Sequence, residues 1–175
     1  MKIVSIRHPE PNDETFFLDA MRRSETLHHP WTKVPITPAE FQSYCQRCQM
    51  DNFKGYLICD ENGSITGVFN ISEIVRGCFQ SAYLGFYAVD GYAGQGYMSA
   101  GLKLILEQTF NELKLHRLEA NVQPDNIKSL QLLMANGFKK EGYSPRYLNI
   151  NDKWCDHERW GITIEDWNDG KYSYE

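Results

Sequence analysis

A glycine-rich turn, residues 91–99, could hold a phosphate group. It has glycine at positions 91, 94 and 96, follows an aromatic and apolar segment at 83–89, and precedes a segment with a helical pattern. Glycine lets the backbone approach a ligand closely, and the first N–H groups of a helix lack intrahelical partners and favour an anion. The sequence therefore predicts a phosphate site at a strand–turn–helix junction.

The residues around this turn indicate which phosphate-containing ligands it could bind. A triphosphate loop needs Lys and then Ser or Thr after its second glycine, where Tyr97 and Met98 stand. A dinucleotide fingerprint needs Gly or Ala in place of Ser99 and an acid at the end of the next strand, whereas Glu119 lies within that strand. An acyl-CoA site and a turn that is merely tight both stay open.

The elements on either side of the turn must position it. After the turn, apolar residues follow the spacing of one buried helical stripe, at Leu102, Ile105, Leu106, Phe110 and Leu113. A strand is predicted at 117–122, and a strand–helix–strand crossover is right-handed, so segments 83–89 and 117–122 should be parallel neighbours. Two hairpins precede the turn, which argues against a doubly wound dinucleotide fold.

Other segments complete the predicted order of elements. Strands are expected at 3–7, 55–60, 64–75, 141–150 and 154–162, and helices at 13–24, 37–50 and 126–136. Residues from 163 onward are expected to form only a polar tail, anchored by Trp167.

Helix ends are also readable from residue types. Thr37, Pro38 and Glu40 have the spacing of a capping box with proline at the first helical position. Asn126 is expected to cap the last predicted helix and Gly137 to follow it as the C′ residue. The buried side of that helix is predicted to consist of Leu130, Leu133 and Met134.

Residues 27–35 contain two prolines together with His and Trp residues. The prolines make a helix through this segment unfavourable. A loop of this kind between two helices is a candidate wall for an acceptor site. Alternatively, Trp31 simply caps the core.

Composition and charge narrow the class of protein. The 175 residues suit one domain, 1–175, and the formal net charge of −5 argues against generic nucleic-acid binding. No apolar run approaches the ~20 residues that span a bilayer, and the first residues lack the apolar region of a signal peptide. These features predict a cytoplasmic protein without a membrane partner.

Five cysteines, an odd number, fit reduced thiols. Cys45 and Cys48 have the spacing of half a zinc site, but no second Cys/His pair is spaced to complete it. We expect both thiols on a helix and no bound metal.

Three segments in order resemble the GNAT acetyltransferase superfamily: 93–98, 124–129 and 136–142. The first is similar to its pyrophosphate loop and the other two to its second cofactor motif; Ala93 and Met98 depart from the usual residues. Residues 70–85 and 141–160 resemble the ribosomal-protein-alanine (RimJ/RimL) type. The resemblance implies an α/β (α+β) fold with a mixed, largely antiparallel central sheet, a β-α-β crossover and flanking helices.

The resemblance also implies acetyl-CoA as cosubstrate and a set of residues to hold it. The pyrophosphate is expected to bind to residues 94–99. Backbone groups near Tyr87 and Ala88 are expected to bind the pantetheine arm and the thioester carbonyl, and the Asn126 side chain is expected to hold the pantetheine as well. The implied cofactor residues are Tyr87, Ala88, Gly94, Gln95, Gly96, Tyr97, Met98, Ser99 and Asn126. Ser129 is implied as the acid that protonates the leaving thiolate, although Asn126 and Ser129 could equally serve only as local helix-capping residues.

A base must take a proton from an ammonium acceptor, and Glu73 is the candidate. In related enzymes a Glu is implied at a position similar to Val75, and the strand period of two puts Glu73 on the same face. A solvated strand-edge Glu is the alternative. His157 is a weaker candidate for the base, since a hydrogen-bonded structural histidine is common.

The expected function is transfer of the acetyl group of acetyl-CoA to a primary amine by direct attack. By resemblance, the acceptor is a protein N-terminal α-amine, and the protein is a monomer or homodimer. A small amine such as an antibiotic or polyamine is the alternative acceptor. A CoA-binding regulatory module without turnover is the alternative class of function.

Overall fold

The computed structural model describes residues 2–172. Seven strands form one sheet in the order β1-β2-β3-β4-β5-β7-β6. Their bounds are β1 Ser5–Arg7, β2 Phe53–Cys59, β3 Ile65–Val75, β4 Ser81–Ala88, β5 Arg117–Val122, β6 Lys139–Ile150 and β7 Lys153–Thr163. Every neighbouring pair is antiparallel except β4 and β5, which are parallel, so the predicted mixed sheet and its crossover are confirmed.

Six α-helices within the described residues flank this sheet. They are α1 Glu14–Arg23, α2 Glu25–His28, α3 Pro38–Cys48, α4 Tyr97–Glu107, α5 Ile127–Ala135 and α6 Ile164–Tyr172. A 3₁₀ turn, Pro11–Asp13, precedes α1, and a π-helical turn, Gln108–Glu112, extends α4. Within residues 2–172, no helix combines the length and the apolar character needed to cross a membrane.

Two helices were not expected from the sequence. α2 follows directly after Ser24, the last residue before it, and overlaps the first two residues of the predicted loop. The Ser24 hydroxyl donates to the carbonyl oxygen of Ala20 in α1. α6 occupies residues 164–172 of the predicted polar tail, and residues 173–175 of that tail lie outside the described residues. The Thr163 hydroxyl oxygen accepts from the N–H of Asp166, and the Trp167 ring lies 5.2 Å from that of Phe110, so this segment has both a cap and a buried contact.

The predicted helix ends agree with the structure at three points. Thr37 and Glu40 form the capping box of α3, and the side chain of Asn126 caps α5. Gly137 has φ +88° and follows α5 in a Schellman arrangement, in which the N–H of Phe138 donates to the carbonyl of Leu133. The buried side of α5 was partly wrong: Leu133 is buried, but Met134 is 60% exposed.

Apolar residues pack on both faces of the sheet. One face carries α4, α5 and α6, and the other carries α1 to α3. α4 approaches the sheet closely at two points, since a Cβ on Gly101 would collide with Ile58 and a Cβ on Gly67 would collide with the sulfur of Met98. This close packing fixes the start of α4 against the middle of the sheet.

The parallel pair β4 and β5 separates after a short contact. Residues 81–83 of β4 pair with 117–119 of β5, and β4 then continues to Ala88 beside β3 while β5 continues beside β7. From residue 84 onward, β4 therefore has no strand partner on its β5 side. We call this opening the β4–β5 gap.

Candidate active site

The glycine turn forms an open cradle at the start of α4. Gly91, Gly94 and Gly96 have φ of +84°, +74° and +90°, the left-handed region that favours glycine. A Cβ added at Gly91 or Gly94 would meet no atom within 4 Å. Helix α4 begins at Tyr97, so its free N–H groups face the turn, and the arrangement suits a phosphate.

A cavity of about 500 Å³ lies beside the cradle and reaches the β4–β5 gap. We call it the cofactor cavity. Its lining comes from the cradle, the end of β4, α2 with the following loop, and α5. The predicted site residues that line it are Tyr87, Ala88, Gly94, Gly96, Met98, Ser99, Asn126 and Ser129.

Two predicted cofactor residues lie beside this cavity rather than in its lining. Gln95 lines a neighbouring surface depression together with Lys2 and Lys103, and its side-chain amide donates to the carbonyl of Gly91. The Tyr97 ring lies under the Lys2 ammonium, with 4.6 Å between the nitrogen and the ring centroid. Both residues thus shape the outer side of the cradle.

The backbone of β4 offers hydrogen-bond donors in the β4–β5 gap. The N–H of Val89 donates to the carbonyl of Thr66 on the β3 side. Since backbone groups alternate between the two sides of an antiparallel strand, those of Phe86 and Ala88 point away from β3 and into the gap. A carbonyl lying in the gap can therefore accept from the N–H of Ala88 or Phe86.

His28, at the end of α2, holds the carbonyl group of Ala88. Its Nε2 donates to that oxygen over 2.7 Å, and its ring lies edge-on to Tyr87 with 5.2 Å between centroids. Nδ1 is buried without a partner among the described residues, and burial lowers the pKa of the imidazole. His28 is therefore neutral at pH 7, with its proton on Nε2. Sequence reasoning missed this residue.

Asn126 and Ser129 lie together at the start of α5, facing the cofactor cavity. The Asn126 side-chain oxygen accepts from the backbone N–H of Ser129 over 3.3 Å, so it does cap the helix. The Asn126 side-chain nitrogen and the Ser129 hydroxyl stay available as donors. At the other end of α5, the Asn136 amide donates to the hydroxyl of Ser99 over 3.2 Å, which ties α5 to the first turn of α4.

A second cavity, of about 560 Å³, lies between the sheet and α3. We call it the acceptor cavity. It shares Thr32, Phe86 and Tyr87 with the cofactor cavity, so the two meet at the end of β4. The predicted loop lines both, which supports its interpretation as a wall. Asn70, Ser72 and Gly85 line the acceptor cavity from the sheet, and Tyr44 and Arg47 line it from α3.

A hydrogen-bonded group of neutral side chains lies in the acceptor cavity. The Tyr44 hydroxyl donates to the side-chain oxygen of Asn70 over 2.7 Å, and the buried Tyr87 side chain lines the same cavity. Burial raises the pKa of both phenols, so both stay protonated at neutral pH. These groups can orient a polar acceptor but cannot take its proton.

The two proposed bases lie outside both cavities. Glu73 is exposed, has φ +49°, and stands at a bulge where the β3–β4 register shifts between Ser72 and Val75. The bulge breaks the strict strand alternation on which its predicted orientation rests. His157 is buried in β7, with Nδ1 donating to the carbonyl of Cys155 over 2.9 Å.

The two cysteines of the half zinc motif both lie in α3, as predicted, and all five cysteines are free. Burial raises the pKa of Cys48 to about 11. Across residues 2–172, His, Cys, Asp and Glu side chains form no group arranged to hold a metal ion.

Comparison with known proteins agrees with this geometry. A family model described as the acetyltransferase (GNAT) domain matches residues 4–139. The [ribosomal protein uS5]-alanine N-acetyltransferase of Escherichia coli (strain K12) is 38% identical over 115 residues, covering 66% of this chain and 59% of that protein. The chain thus spans less than two thirds of the length of this relative.

Solved structures with the same fold include RimJ and a spermidine N-acetyltransferase. Mycobacterium smegmatis RimJ in complex with CoA-disulfide has a TM-score of 0.87 at 25% identity, covering 94% of this chain and 84% of that one. Spermidine N-acetyltransferase from Vibrio cholerae, solved with CoA and spermine, has a TM-score of 0.80 at 19% identity, covering 94% of this chain and 98% of that one. The chain therefore belongs to the GNAT acetyltransferase family and is an acetyl-CoA-dependent N-acetyltransferase.

Proposed function

We propose that this enzyme acetylates the N-terminal α-amine of a protein, by direct attack of the neutral amine on the thioester. The observation that carries the proposal is the acceptor cavity, which meets the cofactor cavity at Phe86 and Tyr87 but holds no free base. Glu40 is the one carboxylate among the described residues that line either cavity. Its Oε2 already accepts from the N–H of Ile36 and from the N–H and hydroxyl of Thr37.

An enzyme without a dedicated base favours acceptors that are already neutral. An α-amine with a pKa near 7.8 is roughly a quarter neutral at pH 7.4, whereas an alkyl amine with a pKa near 10.4 is neutral about one time in a thousand. The α-amine therefore has an advantage of roughly 250-fold before any contact is made. Water can carry away its remaining proton.

The same cavity disfavours a polyamine acceptor. Lys33 and Arg47 line it, and its single carboxylate is held by the capping box of α3. A cleft that attracts a polycation is lined by unpaired acidic groups, because like charges raise the energy of the bound ligand. The polyamine acetyltransferases of this fold thus share its framework, while the lining here supports a different acceptor.

Each part of the site has a proposed role. The cradle, residues 94–99, holds the pyrophosphate of acetyl-CoA, which supplies the activated acetyl group. The N–H of Ala88 donates to the thioester carbonyl and stabilises the negative charge that develops there. The Asn126 side chain holds the pantetheine arm. The amine nitrogen bonds to the carbonyl carbon, the carbon–sulfur bond breaks, and the Ser129 hydroxyl gives its proton to the sulfur and regains one from water.

A cytoplasmic site of action accompanies such an acceptor. The rival function, a CoA-binding regulatory module, would need no acceptor cavity joined to the cofactor cavity. That connection supports an enzyme with turnover toward a bulky amine.

Thiol release from acetyl-CoA tests the proposal on three acceptors: a peptide with a free N-terminal alanine, the same peptide with a blocked N-terminus and an internal lysine, and spermidine. We expect the first to have by far the highest kcat/KM at pH 7.4. Equal or higher kcat/KM with spermidine would contradict the proposal, and CoA binding without release of thiol from any acceptor would favour the regulatory module.

A further inference from the structure

Arg47 stands at the wall of the acceptor cavity with its guanidinium group unpaired. The group lies over the ring of Phe53, with 4.1 Å between its carbon and the ring centroid. No carboxylate in residues 2–172 forms an ion pair with it. The ring fixes the plane of the guanidinium, and its N–H groups stay free for a ligand.

The balance of charge in this cavity favours an anion. Lys33 and Arg47 are its cations, and Glu40, its single anion, accepts three hydrogen bonds from the start of α3. The arginine fork matches a carboxylate in a bidentate arrangement. A carboxylate of a bound acceptor could therefore pair with the Arg47 guanidinium without displacing a carboxylate of the protein.

The sheet register gives the distance between this arginine and the reacting end. Val68 of β3 lies beside Tyr87 of β4, where the two cavities meet, and Ser72 of β3 lies beside Phe53 of β2, under Arg47. Four residues of strand separate these two positions, which is roughly 13 Å. An extended peptide spans about 3.3 Å per residue, so its third to fifth residue reaches Arg47 when its amine is at the junction.

The floor between these two points is open. Asn70, Ser72 and Gly85 line it, and a Cβ added at Gly85 would meet no atom within 4 Å. A peptide backbone can lie there, with polar partners from Asn70 and Ser72. The cavity thus has the shape of a channel with the reaction at one end and a cation at the other.

We propose that the acceptor is a protein N-terminus with Asp or Glu at its third to fifth position, and that Arg47 binds this carboxylate. The inference rests on the proposed function and specifies its substrate class. Arg47 is then a specificity-determining residue that contacts the acceptor outside the reacting atoms.

A peptide scan tests this assignment. Alanine-first peptides of eight residues, identical except for a single Glu in place of Gln at position 2, 3, 4, 5 or 8, are compared for kcat/KM of acetylation. We expect Glu to raise kcat/KM about tenfold at one or more of positions 3 to 5, through KM, and to have little effect at 2 and 8. In Arg47→Gln this preference should vanish, and in Arg47→Glu a Lys at the same position should be preferred.

Arg23→Gln is the matched control, because it removes one positive charge from an exposed arginine that lines neither cavity. It should retain the preference for Glu. Acetylation of all peptides with equal kcat/KM would overturn this inference and leave the proposed function standing. The inference would also be overturned by a preference for Glu that Arg47→Gln and Arg23→Gln weaken equally. Acetylation of none of the peptides, with turnover of another amine, would overturn the proposed function itself.

Discussion

The imidazole of His28 and the backbone carbonyl of Ala88 are joined by a 2.7 Å hydrogen bond across the end of β4. This bond leaves the N–H of Ala88 as the free backbone group of that residue in the β4–β5 gap. It also holds His28 against Tyr87, at the place where the two cavities meet. A helix distant in sequence from β4 thereby fixes the strand end that is proposed to bind the thioester.

His28 should make stability depend on pH. Burial lowers its pKa below the ordinary value of 6.5 in the folded protein. Well above pH 6.5 the imidazole is neutral in both states and imposes no penalty. As the pH falls through 6.5, the unfolded chain gains a proton that the folded chain resists, so the free energy of unfolding decreases. His28→Gln keeps a donor for Ala88 without titrating.

Chemical denaturation at pH 7.5 and 5.5 measures this effect. We expect the parent to lose more stability between the two pH values than His28→Gln does. The other four histidines are present in both proteins and cancel in the comparison. Equal losses in the two proteins would contradict the prediction.

Gly96→Val should abolish CoA binding while the protein stays folded. The position has φ +90°, and a branched side chain there is strained and stands at the start of α4, where the pyrophosphate is proposed to bind. Gly63→Val is the control, because Gly63 has φ +81° in the β2–β3 turn, away from both cavities. Titration calorimetry should detect CoA binding by the control and none by Gly96→Val.

Ser129→Ala should lower kcat by about 10²-fold and change the KM for acetyl-CoA little, since protonation of the thiolate matters only in the transition state. The backbone N–H of residue 129 still donates to Asn126, so the start of α5 is kept. Ser129→Thr retains a hydroxyl and should recover part of the rate. If Ser129→Ala turns over as fast as the parent, Ser129 is only a helix-start residue.

Gly85→Val should weaken the binding of the acceptor without changing the binding of CoA. Gly85 lines the acceptor cavity and not the cofactor cavity, and a Cβ added there would meet no atom of the protein within 4 Å. Valine suits a strand, so the fold should tolerate it. We expect a higher KM for a peptide acceptor with an unchanged Kd for CoA; an unchanged peptide KM would show that acceptors do not cross this floor.

Glu73→Gln tests the base that the sequence predicted. Because Glu73 is exposed at the bulge and lines neither cavity, we expect kcat and KM to stay at the values of the parent. A general base would instead give a rate that falls at neutral pH and recovers at high pH. An electrostatic role would raise KM alone and fade with added salt. A pH–rate profile at two salt concentrations distinguishes these outcomes.

Local patterns made the elements around the proposed cofactor cradle predictable. The strand, the three glycines and the helical stripe lie within about thirty consecutive residues, and each has its own physical signal. The same holds for the start of α5, where Asn126 and Ser129 are three residues apart. The parallel crossover followed from the order of these signals, whereas the fold class was implied by the resemblance of three segments to the GNAT superfamily.

The acceptor side could not be predicted in this way. Arg47, Asn70 and Gly85 come from α3, β3 and β4 and meet only through tertiary packing. The predicted orientation of the Glu73 side chain assumes an uninterrupted strand. No residue type in this segment indicates the bulge that lies beside it. α6 was missed because its support comes from distant partners: the ring of Phe110 and an ion pair between Lys139 and Asp166.

The shared residues Thr32, Phe86 and Tyr87 join two cavities that are otherwise lined by different residues. Each substrate therefore has a proposed cavity of its own, so both can be bound at once. Steady-state kinetics should follow a sequential scheme with intersecting double-reciprocal lines. A single compound in which CoA is linked through an acetyl bridge to the amine of an acidic peptide would occupy both cavities. It should inhibit the enzyme competitively with respect to either substrate.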